Sequence, residues 1–281
     1  MKIFLSLLCV LFSSVAQAQL RASIALKHSE YIQFEKVPLR ITLTNTSGLT
    51  VNLESEGNWL NIFVEKINGY SLTPGLELKT PPLSLSPNEE VTFEANLTQM
   101  YDLSNLGRYE VFLVASPKNF STPTFSNRLK FTIQQPRTIT VQAPANTNDN
   151  PKEYRVLEYS RQEFDYLYLQ QYSLKKGYPT NTISLGQYML DYKPTLHIDA
   201  TGNIFCFYRQ NQTFFVQVSL SPEGALQSFE HYTPSRENFN PIQTVDDSGN
   251  CVLLHATFYD AEEAARLAKM LKKLSDRPPG F

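Results

Sequence analysis

The side chains with the widest chemical reach sit in two aspartate turns. Asp199 opens Asp199-x-x-Gly202-Asn203, and Asp246 opens Asp246-x-x-Gly249-Asn250, with Asp247 next to it. His197 precedes the first turn and His255 follows the second. Two carboxylates are the acid and base of glycoside hydrolysis, and turn carboxylates are also oxygen donors for Ca²⁺. That ion takes six to eight oxygens, and one carboxylate per turn falls short. The same residues have a local role: Asp accepts hydrogen bonds from the turn backbone and Gly supplies positive φ. That role accounts for them without catalysis. No Gly-x-Ser-x-Gly elbow, His-Glu-x-x-His helix or phosphate loop occurs. Neither His197 nor His255 has a Ser or Cys nucleophile at recognisable spacing, so both read as structural.

Cys206 and Cys251 occupy similar places after the two turns. Equivalent strands of adjacent repeats lie farther apart than the ~7 Å Cα separation a disulfide tolerates, so two buried free thiols are expected. His28, His197, His231 and His255 are scattered singly, and zinc needs ligands in clusters. No metal site and no cofactor are expected. Eleven of the fifteen tyrosines lie in the second half, among them Tyr166, Tyr168, Tyr172, Tyr188 and Tyr208. Exposed tyrosines stack on sugars or anchor protein partners, and these five are the candidate binding residues. The competing reading is that they fill a sheet.

Strands must position these groups. The chain has 18 Phe and 15 Tyr, 42% hydrophobic and 19% charged residues, a mix that favours β structure. A net charge of −2 leaves no electrostatic footprint for nucleic acid. Residues 1–18 read as a secretory signal peptide: Lys2, an apolar run from Ile3 to Phe12, then Ala16-Gln17-Ala18. That run is short of the ~20 residues of a membrane span. Residue Leu8 ahead of Cys9 argues against a lipoprotein anchor. The expected product is secreted or periplasmic, with no transmembrane span.

Residues 19–135 alternate with period 2. Leu39, Ile41 and Leu43, then Leu60, Ile62 and Val64, then Val91, Phe93, Ala95 and Leu97 mark strands. Tyr109, Val111 and Leu113, followed by Leu129, Phe131 and Ile133, complete the set. About seven short strands suggest a two-sheet sandwich. Trp59 stands at the start of one strand, and Tyr109 follows Leu106-Gly107-Arg108 like a tyrosine corner. The run Tyr101 to Tyr109 and the phrase Val37-x-Leu39-x-Ile41-x-Leu43-x-Asn45 resemble bacterial Ig-like modules, including the proteinase-inhibitor type. An inhibitor would need a pre-ordered loop, and Thr80-Pro81-Pro82-Leu83 is the candidate.

Residues 136–152, with Pro136, Pro144 and Pro151, read as an extended linker. In residues 153–259, Pro194–Ile204 aligns with Pro241–Cys251, with Pro, Asp, Gly and Asn identical. Each copy is a hairpin. With strands from Phe214 to Leu220 and Leu226 to Tyr232 between them, the unit has the length of a propeller blade. The phrase is similar to the Asp-x-x-Gly-Asn turns of bacterial propeller-type repeats. A closed ring needs at least four blades, so an incomplete, propeller-like antiparallel assembly is expected, with Glu163–Tyr172 and Asn181–Leu190 as the back of a preceding unit. Residues 260–276 read as an amphipathic helix with Ala264, Leu267, Leu271 and Leu274 on the face that docks on the sheet.

The fold expected is mostly β: an Ig-like β-sandwich, an incomplete propeller-like domain and a C-terminal helix. The function expected is non-catalytic binding, adhesion or scaffolding through a protein or glycan ligand. A proteinase inhibitor and a glycan hydrolase are the alternatives.

Overall fold

The computed structural model describes residues 20–53, 59–78, 80, 82–117, 120, 122–144, 151–238, 240–262 and 265–266. The predicted signal peptide lies outside these residues, as do residues 263–264 and 267–276 of the predicted C-terminal helix, with Ala264, Leu267, Leu271 and Leu274 among them. The chain is mostly β and divides into two compact units, Met1–Gln135 and Pro136–Phe281. Among the described residues no helix is long and apolar enough to cross a membrane.

The first unit runs β1 (Leu20–Leu26), β2 (Glu30–Ile32), β3 (Pro38–Asn45), β4 (Val51–Leu53), β5 (Leu60–Lys66), β6 (Leu83–Leu85) and β7 (Glu90–Asn96). A single helical turn, α1 (Leu97–Met100), then leads to β8 (Gly107–Ala115), β9 (Thr124–Phe125) and β10 (Leu129–Gln134). One sheet has the order β1-β3-β7, the other β2-β10-β8-β5 with β9 on β8; β4 and β6 pair separately. Alternation decides which side chains turn inward. Leu39, Ile41 and Leu43 of β3 and Val111 and Leu113 of β8 are fully buried in one core built from both sheets. Tyr109 donates its hydroxyl to the Asn105 carbonyl at 2.6 Å, four residues upstream. Leu97, expected as the end of a strand, instead starts α1, because the Asn96 side chain caps the Thr98 N–H and turns the chain.

The second unit begins with a four-stranded meander: β11 (Arg137–Gln142), β12 (Lys152–Arg161), β13 (Phe164–Ser173) and β14 (Tyr178–Gln187). The linker predicted over 136–152 is corrected here. Residues 137–142 pair with β12 from Arg137↔Glu158 to Gln142↔Tyr154, so the preceding unit is a whole sheet, not its back half. Next come β15 (Thr195–Ile198), β16 (Ile204–Arg209), β17 (Phe215–Leu220) and β18 (Leu226–Pro234), again a meander. The hairpin β19 (Ile242–Val245) and β20 (Cys251–Leu254) follows. The last strand, β21 (Ala256–Phe258), returns to pair with β18. That reversal passes through His255, at φ 60°. The first strands of the three sheets are neighbours, β11 beside β15 and β15 beside β19, which makes the arrangement propeller-like. Val156, Leu167 and Leu169 from the first sheet and Ile204, Val216 and Val218 from the second share one core.

Candidate functional site

Three of the five candidate tyrosines are corrected by their burial. Tyr168 and Tyr208 are fully buried and Tyr188 nearly so; ring area of this size packs inward when its hydroxyl finds a partner. Tyr208 donates to the Leu185 carbonyl at 2.5 Å, Tyr188 to the Glu158 carboxylate, and Tyr168 accepts from Arg161 Nη2 at 3.0 Å. These rings tie strands together and present no surface. Tyr166 and Tyr172 are half-buried. The Tyr172 ring lies under the Arg155 guanidinium at 3.7 Å, and its hydroxyl donates to Gly177 O.

The aspartates are spent on their turns. Asp199 Oδ1 accepts from the N–H groups of Thr201 and Asn203, both at 2.9 Å, and from Thr201 Oγ1 at 2.7 Å. Asp246 Oδ1 accepts from Ser248 N at 2.9 Å and Asn250 N at 2.8 Å. Burial alone would raise Asp199, but these hydrogen bonds outweigh it and hold its pKa below the ordinary carboxylate value. Bonds led by the Asn250 N–H do the same for Asp246. A group held ionised cannot serve as a general acid near neutral pH. The two turns stack, with Ala200 N donating to Gly249 O at 2.9 Å. Burial lowers the pKa of His197, against a hydrogen bond with the Gln243 backbone, which favours the neutral ring. Cys206 and Cys251 are free. Burial pushes their thiols to about 12 and about 11, far from the thiolate a nucleophile needs. No group of three metal-ligating side chains occurs among the described residues. In the candidate inhibitor loop, Leu83 begins β6 opposite Leu53, Thr80 is half-buried and Pro82 is exposed; Pro81 lies outside the described residues.

The site with the right form lies on the first unit. In β5, Asn61, Phe63 and Glu65 alternate with the buried Leu60, Ile62 and Val64, so they share the outward face. Their register partners in β8 are Val114, Phe112 and Glu110. Phe63, 41% exposed, stacks on Phe112 with ring centroids 5.2 Å apart and planes 13° from parallel. Arg128 places its guanidinium 4.0 Å from the Phe112 centroid. Arg128 Nη1 also pairs with Glu110 at 2.6 Å and Glu65 at 3.7 Å. It thereby offsets the repulsion of two like charges directly opposite each other. Phe125 of β9, 62% exposed, pairs with Val114 at one end of this face.

At the other end β5 runs into a tight turn. Asn68 stands at φ 61°, Gly69 N donates to Lys66 O at 2.9 Å and Lys66 N to Tyr70 O at 3.1 Å. The turn walls a concavity of about 450 Å³ whose other lining includes Glu65, Lys66, Glu110 and Lys130. Tyr70 stands at its edge, 64% exposed. The sequence marks Asn68-Gly69 as a turn, but none of these residues was expected as a site residue, although a signal was there. Phe63 and Phe112 are aromatics in the phase of the alternation that should be polar.

No protein-family model matches the chain, and no curated protein is similar to it. Among solved structures, the sporulation control protein Spo0M from Bacillus subtilis aligns over 92% of this chain and 98% of its own. The identity is 8% and the TM-score 0.30, a likeness too slight to carry an argument about fold or function.

Proposed function

We propose that this is an exported, non-catalytic binding protein whose first unit, an Ig-like module, grips a glycan on the outward face of β5, β8 and β10. The observation that carries this reading is the exposed Phe63 ring, stacked on Phe112 on the outward face of the sheet. A sugar ring presents C–H groups on one side and hydroxyls around its rim. Fixed aromatic faces suit the first, and carboxylates, lysines and asparagine suit the second. From Leu60 to Lys66 the face extends ~20 Å at ~3.3 Å per residue, room for several sugar rings in a row. Export rests on the signal-peptide pattern of residues 1–18. The Ig-like reading is supported by buried Trp59 and by the Tyr109–Asn105 corner. The non-catalytic reading is supported by the engagement of Asp199 and Asp246 in their own turns and by two protonated thiols.

The test is affinity electrophoresis through gels containing a panel of soluble polysaccharides. At least one polymer should retard the wild type, and Phe63→Ala should weaken that binding by about tenfold or more, as truncation of a central aromatic contact does. Retardation by no polymer, or equal retardation of wild type and Phe63→Ala, overturns the reading.

A further inference from the structure

Strand register lays out the outward face around Phe63 row by row. Phe63 opposes Phe112, and Leu129 opposes Val111, which sets Arg128, one residue earlier, beside Phe112. In the next row Glu65 opposes Glu110, and Glu110 opposes Lys130. Lys66 is no part of this face. Alternation turns it to the opposite side, where its ammonium stands 5.9 Å from the Tyr109 ring centroid. The rows of Phe63 and Glu65 therefore set Arg128 and Lys130 against Glu65 and Glu110, and the charges cancel. Arg128 is central to that balance. Its Nη1 lies 2.6 Å from the Glu110 carboxylate and 3.7 Å from that of Glu65, and its guanidinium stands 4.0 Å from the Phe112 centroid. The Arg128 side chain is 51% exposed, and an ion pair so open to water adds little to stability. What it changes is the charge that a ligand meets.

We infer that this face takes an uncharged glycan, and that Arg128 sets the preference by cancelling the two carboxylates beside the Phe63–Phe112 pair. The inference rests on the glycan reading above and narrows it to neutral sugars. An acidic sugar laid on Phe63 would bring its anion beside Glu65 and Glu110, to which Arg128 is already committed. A cationic sugar would meet Arg128 and Lys130. Hydroxyls suit the cluster better, because they donate to the carboxylates and accept from the guanidinium without carrying charge. Loss of Arg128 would leave two opposed carboxylates and one ammonium, a net negative face. Contact between an uncharged sugar and an aromatic ring is little changed by salt, whereas repulsion between exposed charges fades as the Debye length shrinks.

The experiment measures retardation of the full chain by two matched pairs of polymers, hydroxyethyl cellulose with carboxymethyl cellulose and dextran with dextran sulfate, at low salt and at roughly 0.5 M NaCl. The variants are Arg128→Met, whose stem still covers Phe112, and Arg128→Lys, which keeps the charge. In the wild type one neutral polymer should bind at least as tightly as its acidic counterpart, and salt should change that binding by less than about twofold. Arg128→Met should raise the ratio of neutral to acidic binding at low salt by roughly threefold or more. High salt should return the ratio to the wild-type value, and Arg128→Lys should show the wild-type ratio throughout. Tighter wild-type binding to an acidic polymer than to its neutral parent refutes the inference and leaves the glycan reading standing. An unchanged ratio in Arg128→Met, or neutral binding that collapses in salt, refutes it as well. Retardation by none of the four overturns the inference, and the wider polysaccharide panel then decides the glycan reading separately.

Discussion

Replacing Tyr208 by Phe isolates the reason a tyrosine-rich sheet can be rich in tyrosine without offering any to a ligand. The ring is fully buried and its hydroxyl donates to Leu185 O at 2.5 Å. Leu185 falls at an irregularity in β14, where Tyr168↔Ser184 is followed by Leu167↔Gly186 and residue 185 has no register partner. Its carbonyl is served by a side chain from the next sheet. The substitution keeps the ring and its packing but leaves that carbonyl buried and unpaired, at a cost of about 1–3 kcal/mol. For a unit of this size that corresponds to a fall in Tm of roughly 2–12 °C. Urea titration followed by circular dichroism measures it, with Tyr166→Phe as control. Tyr166 is half-buried and, among the described residues, its hydroxyl meets only Gln187 Nε2, at 3.4 Å, so its loss should change stability by less than ~0.5 kcal/mol. Equal stability of Tyr208→Phe and wild type would refute the assignment of this hydroxyl to the carbonyl.

Gly249→Ala should destabilise the second unit by about 2 kcal/mol, because φ is 82° and the new Cβ would stand 2.9 Å from Ala200 Cβ. Adding Ala200→Gly should recover the contact part only, and full recovery in denaturant melts would show that the dihedral costs nothing. Asp199 and Asp246 titrate below the ordinary carboxylate value when folded. Their stabilisation is therefore complete above pH ~4 and is lost as pH falls through the folded pKa. The stability gap between wild type and an Asp199→Asn, Asp246→Asn double variant should shrink on acidification; a gap constant from neutral pH to pH ~2 would contradict this. Cys206, buried with its thiol pushed to about 12, should resist an aromatic disulfide reagent at neutral pH until denaturant is added. Half-buried Cys251 should react slowly. Rapid native labelling of Cys206 would show that the core opens.

Where side-chain phase and burial agree, the fold was legible. Leu39, Ile41 and Leu43 announce β3 because a half-buried strand must alternate. The aspartate turns were legible for a different reason: their hydrogen bonds close within five residues, as Asp199 to Asn203 shows. Strand β11 was not legible. Its residues are mostly half-exposed or exposed, and only pairing with β12 makes Arg137–Gln142 a strand. The tyrosines failed as site candidates because a buried ring and an exposed one are spelled alike. What separates Tyr208 from Tyr172 is a distant carbonyl, which no local pattern encodes. The face around Phe63 was half legible, through aromatics out of phase. Its concavity depends on the turn after β5 and on Glu110 and Lys130 from other strands, and those meet only after folding.

The path of the last strand governs how this molecule grows. After β20 the backbone doubles back at His255, and Ala256–Phe258 hems the outer border of the second sheet at β18. Material that would have widened the third hairpin is sewn into its neighbour instead. Inserting another repeat after Leu254 would unpick that seam. A duplication at that point would therefore have to break the pairing of Ala256–Phe258 with β18.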